Sequence, residues 1–233
     1  MDQRQSFINL IITVAIIGTV AAAALVFRNR TPHLVPIKRE ELKSAATTPA
    51  ADTSAKVVER PVEKSFLTFP KVQLVDVPAN QADTLRIHLP DGDHVFTHYF
   101  IHALDNSADH LDRVNETAVF FGRVSNDAVI ATGKEAMAYV TDLLKNHPFM
   151  VLTRWEKAPE AGRYYALIWV EYEKGKWKYL SELLVRHGYA RIAGVTTPLP
   201  NTKVTEDDYI QLLQSGAKYA RQNKLGIWAK AKK

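Results

Sequence analysis

The sequence predicts an α+β fold: a five-stranded β-barrel of the OB type with about three helices, preceded by one transmembrane helix. Three observations lead there. Five strand-like apolar segments fall within residues 66–233, helical periods lie between and after them, and an uncharged apolar run lies near the N-terminus. Leu67–Val77 and Asp83–Leu89 are the first two strands. Pro90-Asp91-Gly92-Asp93 is a hairpin turn signal, and His94–Ala103 follows as the third strand. Ala128–Asn146 is helical, with Ala136, Val140, Leu143 and Leu144 on one face and Gly133 as a mild internal cost. Phe149–Trp155 and Tyr164–Tyr172 are the remaining strands. In the latter, Tyr165, Leu167 and Trp169 alternate with Ala166, Ile168 and Val170. Tyr179–His187 is a short amphipathic helix stopped by Gly188, Tyr189–Ile192 is a possible short strand, and Asp207–Asn223 is the last helix.

The chain of 233 residues is 46% hydrophobic and 24% charged, which excludes disorder throughout. Cysteine is absent, so a disulfide framework, a thiolate zinc site and a cysteine nucleophile are excluded. The net charge of +5 comes from the ends: Arg28, Arg30, Lys38 and Arg39 on one side, Lys230, Lys232 and Lys233 on the other. The part between is close to neutral, so overall charge is no argument for nucleic acid.

The sequence divides into a membrane anchor or signal segment (1–30), a flexible linker (31–65) and a folded domain (66–233). Phe7–Phe27 is 21 residues long and carries no charge. At ~1.5 Å per residue it spans a hydrocarbon core of ~30 Å. A cleaved signal peptide competes, because Ala21–Ala24 offers small residues for cleavage, but the apolar run is long for one. A single-pass membrane protein is therefore expected, with membrane contact through residues 7–27. The basic residues after the run argue for a cytoplasmic domain, and the short basic head before it argues for export. The export reading is preferred. Residues 31–65 are rich in small, polar and Pro residues, with no apolar period. No oligomer is expected.

Five stretches carry a resemblance: ADTLRIHLPDG (82–92), GKEAMAYVTDLL (133–144), GRYYALIWV (162–170), YLSELLVRHGYARI (179–192) and AKYARQNKLGIW (217–228). In these residues and their order the domain resembles the staphylococcal nuclease (thermonuclease-like) family. The resemblance implies an OB-fold barrel packed with three helices, and calcium-assisted phosphodiester hydrolysis of DNA or RNA. That chemistry needs carboxylates on a hard cation, a glutamate to activate or position water, and two arginines to clamp the phosphate.

Carried over by residue, Asp83 stands for the first metal acid and Arg163 for the second arginine. An ungapped alignment puts Thr97 where the first arginine belongs, His102 at the metal aspartate, Leu104 at a proline, and Asp105 at the glutamate. A register shifted by three gives Asp105 the metal role, leaving Phe100 for the arginine and Ala108 for the glutamate. Either way the clamp loses one arm, and losing one preorganised donor costs ~10²–10³ in rate. The expected function is thus a membrane-tethered nuclease weakened by substitution. The alternative is a catalytically inactive module of the same fold, binding nucleic acid or protein beside a membrane.

Imidazole suits transition metals better than calcium, so His102 and Asp105, with Asp109 or His110, could bind another divalent metal, although isolated surface or core histidines account for most of these residues. His94, His98 and His102 would share one face of a continuous strand, although His94 and His102 would stand ~26 Å apart. Trp155, Tyr164, Tyr165 and Trp169 read as core residues before base-stacking ones. Lys174-Gly175-Lys176-Trp177-Lys178 reads as a solvated turn first and is the best local candidate for a phosphate-tracking loop. Asp105, Asp109, Asp112 and Glu116 would repel phosphate unless neutralised.

Overall fold

The computed structural model describes residues 60–200 and 202–231. The apolar run at 7–27 and most of the linker lie outside the described residues. Among the described residues no helix is long and apolar enough to cross a membrane.

Pro70 and Lys71 interrupt the first predicted strand, which becomes β1 (Leu67–Phe69) and β2 (Gln73–Leu74). The predicted hairpin forms as β3 (Thr84–Leu89) and β4 (Gly92–His98), paired from Thr84↔Thr97 to Leu89↔Gly92. Gly92, at φ 127°, takes a backbone conformation that side-chain-bearing residues rarely adopt.

The predicted strand His94–Ala103 does not continue. It breaks at Phe100, whose φ is 71°, and resumes as β5 (Ile101–Ala103). Partner exchange explains the break. β4 runs parallel to β7 (Arg163–Glu173), whereas β5 pairs antiparallel with β9 (Ala190–Ile192) in a separate two-stranded sheet. Phe100 is held at the corner by its N–H on Val195 O (2.8 Å), by its carbonyl accepting from Ala193 N–H (2.9 Å), and by its ring edge-on to Tyr209. A bulky residue at positive φ persists only under such tertiary fixation.

A helix follows that the sequence reading lacks, α1 (Leu111–Phe120), and then α2 (Asn126–Asn146), capped by Ser125 Oγ accepting from Ala128 N–H. β6 (Phe149–Lys157) pairs with β1 and β7, with a register shift between Thr153 and Lys157. Within it, Trp155 has φ 58°. β8 (Lys176–Tyr179) returns from β7, and α3 (Leu180–Arg186) and α4 (Glu206–Gln222) complete the fold with a 3₁₀ turn at Gly226–Ala229. The main sheet runs β1-β6-β7-β4-β3-β2, with β8 joined to β7. The five predicted strands and three predicted helices thus become nine strands and four α-helices among the described residues, an OB-fold-like α+β arrangement.

The main core lies inside the curved sheet and under α2–α4, and includes Leu85, Ile87, Phe96, Val140, Val151, Ile168, Leu184 and Tyr209. A second cluster, Leu104, Val114, Ala118, Phe121, Val124, Val129 and Ile227, fastens α1 to α2 and to the last turn. Two close approaches tie these parts together. A Cβ on Gly133 would lie 2.1 Å from the Asp105 carbonyl oxygen, so α2 rests directly on the Leu104–Asp105 backbone. Gly188 and Gly226 lie against each other's segments, a Cβ on either meeting a carbonyl oxygen at 2.4 Å. The end of the linker also packs on the domain. Arg60 lies over the Trp155 ring, 4.4 Å from its centroid, and pairs with Asp91.

Candidate functional site

Asp83 sits in the turn leading into β3. Its Oδ2 accepts from Ala103 N–H at 2.7 Å and its Oδ1 from Thr84 Oγ1 at 3.2 Å. Its carbonyl accepts from His98 N–H at 2.9 Å. The carboxylate thereby ties β3 to β5, and half its hydrogen-bonding capacity is used in doing so. Thr97, at the position of the missing arginine, shares a 2.7 Å hydrogen bond with Thr84. No cation comes from β4 at this point.

Asp105 is 2% exposed. Its Oδ1 accepts from Arg113 Nε at 2.7 Å and also from Arg113 Nη2. Arg113 Nη2 donates in addition to Gln81 Oε1 at 3.0 Å. Burial works against the Arg113 charge. The hydrogen bonds and charge of Asp105, with the charges of Asp83 and Glu160, outweigh it and raise its pKa. Asp105 is therefore a buried carboxylate with Oδ1 held by a guanidinium, while its buried Oδ2 has no hydrogen-bond partner among the described residues.

Arg163 opens β7 at the level of Val95 on β4. The register places Thr97, Arg163 and Tyr165 on one face of the sheet. Arg163 Nη1 lies 3.7 Å from Glu160 Oε1, a loose pair. A cavity of about 480 Å³ lies between this turn and the start of α1, lined by Gln81, Asp109, His110, Asp112, Arg113, Glu160 and Arg163, among others. Arg113 thus joins two groups of residues. It pairs with Asp105, feels the charge of Asp83, and shares a cavity with Arg163. Sequence reasoning missed it because its helix was missed. A slightly larger groove of about 530 Å³ runs along α2 past Met137, Thr141 and Lys145. It carries none of the expected site residues.

His102 is on β5, opposite Arg191 of β9. Desolvation lowers its pKa first of all. Asp83 and Glu116 raise it, while Arg191 and Arg113 add to the lowering. Two guanidinium charges therefore face the imidazole expected to hold a cation, and Arg191 itself is paired with Glu116 at 2.8 Å. Among the described residues no group of three or more His, Asp or Glu is placed to hold a metal ion. The donors present do not fit calcium. One carboxylate is buried under Arg113, Asp83 is spent partly on backbone, and His102 supplies nitrogen where a hard cation takes oxygen.

The alternative histidine site is also dispersed. His94 lies edge-on to Trp155 at 4.9 Å, His88 Nδ1 is 2.7 Å from Asp93 Oδ1, and His102 lies beyond the corner at Phe100. His98 is buried with no partner for either ring nitrogen among the described residues, and desolvation, opposed by Asp83, lowers its pKa to about 4. Trp155, Tyr164 and Tyr165 are core residues. Trp169 is 36% exposed, beside Trp177. The basic hairpin forms, but Lys176 pairs with Glu173 and Lys178 with Glu182, which reduces its pull on phosphate.

A sequence-family profile described as staphylococcal nuclease homologue matches residues 109–230. The match begins just before α1 and runs through the final 3₁₀ turn. A search of curated proteins finds no match.

Proposed function

The chain belongs to the staphylococcal nuclease homologue family, and from that premise we propose that it is a nuclease-type protein that engages the phosphodiester backbone of DNA or RNA at the cavity beside Arg163. Its hydrolysis is far slower than that of a calcium-assisted site. The observation that carries this reading is the shared cavity of Arg163 and Arg113. Guanidinium groups recognise phosphate through paired N–H donors, and two of them on one cavity suit a single backbone phosphate. The site is weakened because Asp105 is one methylene shorter than a glutamate and is held through Oδ1 by Arg113, and because the calcium donor set is incomplete. Any slow attack by water would rest on charge stabilisation by the arginines at the phosphate oxygens.

One observation favours a second reading. Asp105, at the position of the water-activating group, is 2% exposed and held by Arg113, which suits a module that binds without cleaving. We also read residues 7–27 as a single membrane span that tethers the domain beside a bilayer, on the extracytoplasmic side.

The test is binding and cleavage of single-stranded DNA and RNA by the full chain in detergent, with Ca²⁺, Mg²⁺, Mn²⁺ or Zn²⁺. Salt-sensitive binding with slow cleavage, both lost in Arg163→Ala, is expected. Rapid calcium-dependent cleavage would overturn the weakened site. Binding with no cleavage under any metal selects the second reading.

A further inference from the structure

We propose that Arg113, supplied by a helix rather than by β4, is the second phosphate-binding arm of this chain, and that Asp105 and Gln81 are positioning residues that aim it. The inference rests on the reading of the Arg163 cavity as a phosphodiester seat and adds to it how Arg113 is mounted and what its loss does to binding. Thr97 leaves the strand position without a cation and instead meets Thr84. Arg113 lies on the same cavity as Arg163. Its Nε and Nη2 are bound to Asp105 and Nη2 also to Gln81, while Nη1 has no protein partner among the described residues.

A guanidinium held by a buried carboxylate and an amide has lost most of its rotational freedom before any ligand arrives. It therefore binds an anion without the entropic cost of ordering a long side chain. The carboxylate is in turn compensated in its burial by the guanidinium it holds. Asp109, Asp112 and Glu160 also face the cavity. Their charge offsets a diffuse attraction for phosphate, so recognition depends on the placement of the two guanidinium groups more than on net field. The nearest competitor is Glu160, which a phosphate oxygen displaces from its 3.7 Å contact with Arg163.

The experiment uses the full chain in detergent and a fluorescent single-stranded DNA octamer, titrated at several salt concentrations. Arg113→Ala alone would leave a buried carboxylate unpaired and endanger folding. The informative variant is therefore the double substitution Asp105→Ala/Arg113→Ala, which removes the pair together and leaves the net charge unchanged. Its affinity should fall about tenfold, and the dependence of log K on log salt should become shallower by ~0.7, the value for one phosphate contact on a single strand. Thermal unfolding of the variant checks that the fold survives. A second variant, Arg113→Lys, keeps the charge but not the fork, and should keep the salt slope while losing severalfold in affinity. If the double variant binds with the wild-type constant and slope, Arg113 is no phosphate arm. If the wild type itself fails to bind, or Arg163→Ala changes nothing, the phosphodiester reading of the cavity fails first, and the two failures are told apart.

Discussion

Asp105 shows how a residue's role depends on its neighbours. In the sequence it is a shortened carboxylate at the place of a water-activating glutamate. In the fold it is buried and hydrogen-bonded to Arg113. Glu160 is the opposite case, an exposed acid loosely placed against Arg163. Glu160→Gln removes the competing charge and should tighten oligonucleotide binding severalfold, measured by fluorescence anisotropy at low salt. His98 carries a prediction about stability. Its folded pKa of about 4 lies below the ordinary 6.5, so the unfolded chain binds the proton more tightly. Folding stability is insensitive to this group above pH 6.5 and falls as pH drops from 6.5 towards 4, because the unfolded chain takes up the proton first. The groups behind the shift are burial and the opposing charge of Asp83. Urea unfolding of wild type and His98→Phe across that window should show a slope in the first that is flattened in the second. Equal slopes would mean that other groups govern acid sensitivity.

At the scale of elements, α1 and α2 decide the site. The apolar positions Val114, Ala118 and Phe121 were a legible helical spacing, and all three are buried. The signal was obscured by the acidic residues around it, by β-branched residues of modest helix propensity, and by a start at His110 without a side-chain cap. The helix of Ala128–Asn146 was legible almost to its ends, yet the meaning of Gly133 was not. Local propensity counts it as a small cost, whereas its real function is to let the helix touch the Asp105 peptide. Gly133→Ala should cost about 1–3 kcal/mol or more in urea unfolding, because backbone must move on one side or the other. It should also weaken oligonucleotide binding, since the displaced peptide carries Asp105. A stability loss with unchanged binding would separate the helix from the site.

Across the whole molecule, five strand segments and three helices were readable from alternation and period. What pattern could not supply was partner exchange. The break at Phe100 depends on β4 pairing with β7 while β5 pairs with β9, and no local rule announces a bulky residue at positive φ. The break also ends the supposed histidine face. Likewise Asp83, Asp105 and Arg163 could be picked out by resemblance, but Arg113 could not, because no residue in its own helix points to Asp105 or Arg163 as neighbours. The same donor inventory makes a thermodynamic prediction for the full chain. Millimolar calcium should leave the unfolding temperature unchanged, since a ligand stabilises only through sites it binds in the folded state. A calcium-dependent rise of several degrees would show a donor set beyond the one described.

The most direct measurement is a crystal structure of the protein with a short single-stranded oligonucleotide. The account predicts one backbone phosphate within hydrogen-bonding distance of both the Arg113 and Arg163 guanidinium groups, with Asp105 still bound to Arg113 from behind. An oligonucleotide lying on another surface, or a phosphate held by Arg163 with Arg113 turned away, would contradict it.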